Sequence, residues 1–388
     1  MIERNESLFS EAPVADAAAL PFFVCALLVA VAVMALWLPG YTKRHPLLTY
    51  YGSSGWHAHE MLFGYMTAVV AAFLLGALRR VPGRPVAGVV PLTFLVLLWL
   101  AARALPLMNG VPPWLIAAVD LAFLPLLMVL LARPLWHEGR RHSLYLIAPL
   151  GVMAAGNLLV HGEWLGLAMD SARLGAVLAI YMLVLLMAII AGWVIPLTLA
   201  RGVPARPVVE RAAAGSVVLL AAADLLSPTA EGVTACALLA AAVHAWRWLR
   251  WLRGGPRRDP ASWGLMAAYA WLVAGFALIA LSYQGRLPHM LAFHALMVGG
   301  FGGLSMGLAA QALRARRSGV VPPLPLAALA FALMNLAAVL RVAGPLLSLR
   351  YGQSLIVAAG SMWIISFVLF GLAYGPQLWP ARSAGRLA

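Results

Sequence analysis

Residues 174–200 read LGAVLAIYMLVLLMAIIAGWVIPLTLA, a stretch without a single charged side chain. An α-helix needs about 20 apolar residues to cross the hydrocarbon core of a bilayer, so this stretch predicts a transmembrane helix. Similar runs recur along the 388 residues, of which 63% are hydrophobic and only 10% are charged. This composition excludes a soluble enzyme, a disordered protein and a nucleic-acid-binding protein. The continuous apolar runs, which do not alternate with polar residues, also exclude a transmembrane β-barrel.

Apolar runs of about 20 residues predict an all-α, polytopic integral membrane protein with about twelve transmembrane helices. The predicted spans are approximately 18–38, 56–78, 86–107, 113–133, 144–166, 172–200, 211–228, 230–252, 264–284, 290–312, 323–347 and 353–379. Residues 18–380 then form a single transmembrane domain. Residues 1–17 form a cytoplasmic N-terminal segment and residues 381–388 a cytoplasmic tail.

The distribution of Lys and Arg predicts the orientation, because these residues are enriched in cytoplasmic loops. With twelve spans, 20 of the 27 basic residues lie on the side of the two termini and 7 on the other side. We therefore expect a multi-pass protein of the bacterial inner membrane with both termini in the cytoplasm. The net charge of +14 then reflects membrane topology, and no nucleic-acid partner is expected.

Six of the nine histidines fall on the predicted outer side of the membrane. They are His45, His57, His59, His161, His289 and His294. Five of these lie at similar depth in three spans, where ionisable side chains are costly and usually serve a functional site. The pattern predicts a set of metal or haem ligands. By contrast, His244 lies in an aromatic and arginine-rich stretch that predicts an anchor at the membrane interface.

Helical spacing divides the predicted ligands. His57 and His59 are two residues apart and point about 200° apart on a helix, so they cannot easily bind one ion. Two helical faces combine histidine with methionine, a pairing that suits haem iron and copper. These faces carry His57 with Glu60 and Met61, and Met290 with His294 and Met297. Candidate metal ligands are His57, His59, His294, Met61, Glu60 and His289.

Other polar residues within the spans could complete a haem site. Asn157 lies one turn before His161 and could orient that ligand. Arg103 could pair with Asp120, and Arg103 and Arg341 could bind the haem propionates. The alternative for both arginines is that they snorkel towards the membrane surface. The candidate cofactor-binding residues are His57, His59, His161, His294, Arg341 and Arg103.

A glycine-rich segment, Gly299-Gly300-Phe301-Gly302-Gly303, follows His294 and allows two interpretations. The glycines could permit close packing of helices, as small residues do in membranes. They could instead leave room for a flat macrocycle beside the helix. The sequence favours neither interpretation.

The motif Trp56-His57-Ala58-His59-Glu60-Met61-Leu62-Phe63-Gly64-Tyr65 resembles the signature of the NnrS family. His294-Ala295-Leu296-Met297-Val298-Gly299 resembles the second histidine motif of the family, and residues 374–386 resemble its C-terminal signature. The likeness extends from about residue 20 to the C-terminus. Two cytoplasmic helix ends depart from the family pattern. Trp193 stands where an arginine is usual, and residues 310–319 differ from the family sequence.

The resemblance implies a membrane protein that contains haem, expected to be of the b type, with copper as a candidate second cofactor. It implies a site near the outer leaflet that meets nitric oxide or a related small gas. Its setting would be nitric oxide response, denitrification or resistance to nitrosative stress, with a respiratory or denitrification partner. Enzymatic activity, sensing and simple binding of nitric oxide all remain open. The alternatives are a twelve-span secondary transporter and a cofactor-free assembly factor for a respiratory complex.

Overall fold

The computed structural model describes residues 19–42, 50–77, 87–137, 141–226, 229–316, 324–347 and 350–377. These residues form twelve long helices and contain no β-strand, so the prediction of an all-α polytopic membrane protein is confirmed. The only bridge between extended segments of this part of the chain joins Leu199 to Pro256.

The helices are numbered α1–α12 in chain order. α1 spans Leu20–Tyr41, α3 Val89–Ala104, α4 Pro113–His137, α5 Ala148–Trp164, α6 Ser171–Leu197, α7 Pro207–Leu226, α8 Ala230–Gly254, α9 Pro260–Tyr283, α11 Leu324–Leu347 and α12 Gly352–Tyr374. α2 consists of Gly52–His59, Glu60–Tyr65 and Met66–Ala77. α10 consists of His289–His294, Ala295–Gly302 and Gly303–Arg316.

Eleven of these helices are long and apolar enough to cross a membrane. α7 is the exception, although the sequence predicts a span at 211–228. It carries Glu210, Arg211 and Asp224, which lower its apolar character. Two of these charges have partners on neighbouring helices, since Glu210 pairs with Arg247 and Asp224 accepts hydrogen bonds from two tyrosines. α7 therefore packs in the bundle through polar contacts that hydropathy does not register.

α2 and α10 lie at the centre of the bundle. In each of them 89% of the most apolar stretch is buried within the protein, whereas the value is 28% for α3 and for α8. The two central helices meet where the Tyr65 hydroxyl lies 2.5 Å from the Ser305 hydroxyl and its ring packs edge-on against Phe301. Residues on α2 and α10 are therefore shielded from lipid by the surrounding helices.

Both central helices change from α-helix to π-helix directly after a histidine. In α2 the π segment Glu60–Tyr65 follows His59, and in α10 the π segment Ala295–Gly302 follows His294. A π segment inserts an extra residue into a helix, redirects the side chains that follow, and occurs frequently at functional sites. The two histidine motifs thus share an unusual backbone.

The glycine-rich segment of α10 serves helix packing. A Cβ atom on Gly299 would lie 2.3 Å from the Trp271 ring, and one on Gly303 would lie 2.7 Å from the Ala268 side chain. Both neighbours belong to α9, so the glycines allow α9 and α10 to approach closely. Of the two interpretations that the sequence allows, the structure favours packing over room for a macrocycle.

Candidate functional site

A group of polar side chains, here called the polar cluster, is buried between four helices. It comprises His59 and Glu60 of α2, Arg103 of α3, Asp120 of α4, and Asn157 and His161 of α5. Each of these residues is less than 9% exposed. Buried charged groups require partners, because an unpaired charge in an apolar environment is strongly unfavourable.

Asp120 is the centre of the polar cluster. Its Oδ2 atom lies 3.1 Å from Nε2 of His59 and 3.0 Å from Nε2 of His161, and it accepts a hydrogen bond of 2.6 Å from Nδ2 of Asn157. Its other oxygen, Oδ1, accepts a hydrogen bond from Arg103. One carboxylate therefore connects α2, α3, α4 and α5.

Arg103 balances two carboxylates. One terminal nitrogen of its guanidinium group donates to Oε2 of Glu60 at 3.1 Å, and the other donates to Asp120. Gly64 makes room for this arrangement, since a Cβ atom there would lie 2.8 Å from Nη1 of Arg103. The formal charges of the three ionised groups sum to −1, so the polar cluster has room for one further positive charge.

Two tyrosines cover the polar cluster on the side of the loop before α2. The Tyr51 hydroxyl lies 3.2 Å from Nε2 of His59 and 3.3 Å from Nε2 of His161, and its ring stacks on that of His59 at 4.2 Å. The Tyr50 hydroxyl lies 3.4 Å from Nδ1 of His161. Burial and the Asp120 carboxylate raise the pKa of Tyr50 to about 12, so the covering tyrosine adds no charge at neutral pH.

The polar cluster contains a possible metal-binding set. One ligand atom from each of His59, Asp120 and His161 lies within 4.8 Å of the other two. Two imidazoles and one carboxylate are donors that suit zinc, copper and iron ions. Asn157 and Tyr51 lie within hydrogen-bonding distance of these ligand atoms and could orient them.

The opposite side of α2 borders an apolar cavity of about 350 Å³, formed with α1, α6, α10, α11 and α12. This volume lies within the range of ordinary small-molecule sites. The cavity is lined by His57, Met61, Met66, Met34, Met290, Met297, His294, Trp37, Trp363, Phe293 and Arg341, among others. Five methionines and two histidines therefore share one mostly apolar space.

The two cavity histidines differ in their hydrogen bonding. Nδ1 of His294 lies 2.7 Å from the Met290 carbonyl oxygen, which can only accept, so Nδ1 carries the proton and Nε2 keeps its lone pair. Nδ1 of His57 is buried and has no hydrogen-bond partner among the residues that the structure describes. The His57 ring is held by stacking on Trp37 at 4.2 Å.

The chain also matches a known protein family along nearly its whole length. The model of the NnrS protein family matches residues 14–382, which is nearly the whole chain. The chain belongs to the NnrS family. It is therefore a membrane protein of a family linked to nitric oxide. Comparison with curated proteins found no match.

The signature motif of this NnrS protein contributes to both sites. His57 and Met61 line the cavity, whereas His59 and Glu60 belong to the polar cluster. The prediction that His57 and His59 point apart agrees with this division. The prediction that Glu60 shares a face with His57 and Met61 is wrong, because the backbone becomes a π-helix at Glu60.

The helical face predicted to combine Met290, His294 and Met297 borders the cavity, since all three residues line it. Arg341 also lines the cavity. Arg103 lies in the polar cluster and pairs with Asp120, so of the two arrangements proposed for it the structure contains the ion pair.

His289 and Asn157 have other surroundings than the sequence predicts. His289 is outside both sites: its Nδ1 atom lies 2.8 Å from the Ser282 hydroxyl, and its ring packs against Phe293 at 4.4 Å. His161 has Asp120, Tyr51 and Tyr50 within hydrogen-bonding distance. Asn157 bonds to Asp120 and lies 3.1 Å from His59. The prediction that Asn157 orients His161 directly is therefore corrected.

His244 is not an interfacial anchor. It is fully buried, with Nδ1 at 2.6 Å from the Tyr269 hydroxyl and Nε2 at 3.1 Å from the Ala213 carbonyl oxygen. His45 lies outside the described residues.

The sequence interpretation missed two residues of the sites and the full role of a third. Tyr51, which contacts both histidines of the polar cluster, and Trp37, which stacks on His57, were missed. Asp120 bonds to both histidines of the polar cluster. Asp120 was recognised only as a partner for Arg103. Its position deep in an apolar span was the available signal that it serves a site. Tyr51 and Trp37 carry no such signal, because aromatic residues are common near membrane surfaces.

Proposed function

We propose that this NnrS protein binds haem in the apolar cavity and a transition-metal ion in the polar cluster, and that nitric oxide meets the haem within the membrane. One observation carries the proposal: His57 and His294, from two different helices, line one apolar cavity.

The residues of the cavity fit the chemical requirements of haem. The apolar macrocycle needs apolar walls, which Met61, Met297 and Trp363 supply. Histidine and methionine are the usual axial ligands of haem iron. Arg341 lines the same cavity and would pair with a propionate, because a guanidinium matches a carboxylate in two hydrogen bonds. When bound, haem iron would supply a coordination position for nitric oxide.

The polar cluster fits a metal ion. His59, Asp120 and His161 would hold it, and Arg103 would keep Asp120 ionised by pairing with its other oxygen. The family resemblance implies copper, and two imidazoles with one carboxylate suit copper as well as zinc.

Access through the membrane suits nitric oxide, which is small and apolar. Met290 lines the cavity and is 58% exposed, so the cavity reaches the surface of the helix bundle. A gas dissolved in lipid would then enter without a polar channel.

Purification of the protein in detergent tests the proposal. We expect a Soret band and one haem per chain. His294→Ala and His57→Ala should each lose most of the bound haem, because each removes a ligand from the cavity. His289→Ala is the matched control, since this histidine lies at the start of the same helix as His294 but outside both sites.

Elemental analysis of the same preparations tests the metal site. We expect about one copper or zinc ion per chain, lost in His161→Ala and retained in His289→Ala. A folded preparation without colour or metal contradicts the proposal and favours a transporter or a cofactor-free assembly factor.

We also propose that both termini face the cytoplasm of a bacterial cell, which follows from the excess of arginine on that side. Arg258 and Gln284 lie at opposite ends of α9 and are both exposed. Cysteine substituted at Gln284 should react with a membrane-impermeant thiol reagent in intact cells, and cysteine substituted at Arg258 should not. The reverse pattern of labelling contradicts the orientation.

A further inference from the structure

We propose that a metal ion in the polar cluster controls the reduction potential of the group bound in the apolar cavity. The inference rests on the proposed function, because it requires that haem occupies the cavity. It adds a regulatory relation between the two sites that follows from their shared position on α2.

The two sites lie back to back on one turn of one helix. His57 lines the cavity and His59 belongs to the polar cluster, and two residues of an α-helix rise only about 3 Å along its axis. The next two residues are also divided between the two sites, since Glu60 bonds to Arg103 of the polar cluster and Met61 lines the cavity. Only the backbone of α2 and its side chains separate the two spaces at this point.

Charges on the two sides of α2 should interact strongly, because the helix turn between the two sites is shielded from water. Trp56, His59 and Glu60 are each no more than 2% exposed, so this turn of α2 is shielded from water. Charges interact far more strongly in a protein interior than in water. Arg341 is the one arginine among the described residues that line the cavity.

Binding of a metal ion makes the polar cluster more positive. Its ionised groups, Glu60, Asp120 and Arg103, sum to a formal charge of −1. A divalent cation bound to His59, Asp120 and His161 changes the sum to +1, and the change is still positive if it displaces one proton. A more positive neighbour disfavours ferric haem relative to ferrous haem, so metal binding should raise the reduction potential.

The size of the effect follows from Coulomb's law. An α-helix with its side chains is about 10 Å across. Two unit charges separated by that thickness, at the effective dielectric constant of a protein interior, change an equilibrium constant about tenfold. For a one-electron couple this corresponds to a shift of about 59 mV. The expected direction is towards easier reduction of the haem when the metal is bound.

A spectroelectrochemical titration of the full-length, haem-loaded protein tests the inference. The midpoint potential is measured after chelation and again with saturating Zn²⁺, which is redox-inert and therefore acts only through its charge. We expect Zn²⁺ to raise the midpoint potential by about 59 mV, which is a tenfold increase in the ferrous-to-ferric ratio at a fixed applied potential. His161→Ala should abolish the shift, because it removes a metal ligand that does not line the cavity. His289→Ala should behave as the parent protein.

The outcomes separate this inference from the proposed function. An unchanged midpoint potential in the parent protein, with haem and zinc both shown to be bound, overturns the coupling alone. Failure of the polar cluster to bind any metal overturns the coupling together with the metal site of the proposed function, and elemental analysis identifies this outcome. Absence of a Soret band contradicts the proposed function. The comparison of chelated and zinc-loaded parent protein needs no variant, so a poorly folded His161→Ala leaves the test intact.

Discussion

His57 and His59 are neighbours on one turn of α2, yet their surroundings are opposite. Nε2 of His59 lies within 3.2 Å of Asp120, Asn157 and the Tyr51 hydroxyl. His57 has a stacked tryptophan and an apolar cavity, and its buried Nδ1 has no partner in the part of the chain that the structure describes.

The difference separates two ways of using a buried histidine. The position of His59 is fixed by hydrogen bonds within the protein, so its side of α2 should be stable and rigid without any ligand. Nδ1 of His57 has no such bond among the described residues, and under the proposed function a ligand in the cavity completes the hydrogen bonding or coordination of this histidine. Substitutions on the two sides should therefore affect different properties, namely stability on the polar side and cofactor content on the apolar side.

The largest effect is expected from Asp120→Ala. This change removes the shared partner of His59, His161 and Arg103 and leaves a buried guanidinium with Glu60 alone. Breaking a buried ion pair from one side costs about 3–5 kcal/mol. Thermal unfolding in detergent should show a large loss of stability. The control is Asp170→Asn at an exposed turn, and equal midpoints for the two variants would contradict the role of Asp120.

His57→Leu and His59→Leu compare the two faces directly. His59→Leu removes one hydrogen-bond partner from Asp120 and one from Asn157, which keep their bond to each other, and it places an apolar side chain in the polar cluster. We expect a loss of stability of about 1–3 kcal/mol. His57→Leu places an apolar side chain in an apolar cavity, so we expect it to keep its stability and lose haem. Unfolding midpoints and haem content of the two variants provide the measurement. Greater destabilisation by His57→Leu would invalidate the distinction between the faces.

Much of the fold could be predicted from hydropathy, because a bilayer imposes a length on each apolar run. The predicted span 172–200 corresponds to α6 at Ser171–Leu197, for example. α7 carries three charged residues, and two of them have partners on other helices, such as Glu210 with Arg247. The low hydropathy of α7 is visible in its composition. The pairing between distant helices leaves no trace in local composition, so it could not be predicted from the sequence.

The candidate site was predictable where α-helical geometry holds. The division between His57 and His59 follows from 100° per residue. The direction of Glu60 does not, because the π-helix that starts there depends on a backbone hydrogen-bond shift with no sequence period. Tyr51 lies before α2, outside any helical repeat, so its contacts with His59 and His161 could not be inferred from spacing.

Gly64→Ala tests how closely the polar cluster is packed. The added Cβ would lie 2.8 Å from Arg103 and 2.9 Å from Glu60, so the ion pair must shift. Overpacking of this kind costs about 1–3 kcal/mol, and we expect weaker metal binding together with lower stability. Gly215→Ala in α7 is the control, since its added methyl meets nothing within 4 Å and should stabilise the helix by about 0.5–1 kcal/mol. Metal titration and thermal unfolding distinguish Gly64→Ala from Gly215→Ala. Unchanged metal affinity in Gly64→Ala would contradict the prediction of close packing in the polar cluster.

The smallest effect is expected from substitution of Arg341. This substitution tests whether a charged side chain contributes to haem binding in the apolar cavity. If Arg341 pairs with a haem propionate, Arg341→Leu should weaken haem binding about tenfold, or about 1.4 kcal/mol. Arg341→Lys should weaken it less, because lysine keeps the charge and loses the two-pronged geometry. Arg350→Leu, at an exposed position outside the cavity, is the control. Haem dissociation measured by transfer to a haem-scavenging protein ranks the variants. Equal dissociation rates for parent and Arg341→Leu would mean that this arginine only snorkels, and that haem is held on the apolar side by ligation and burial alone.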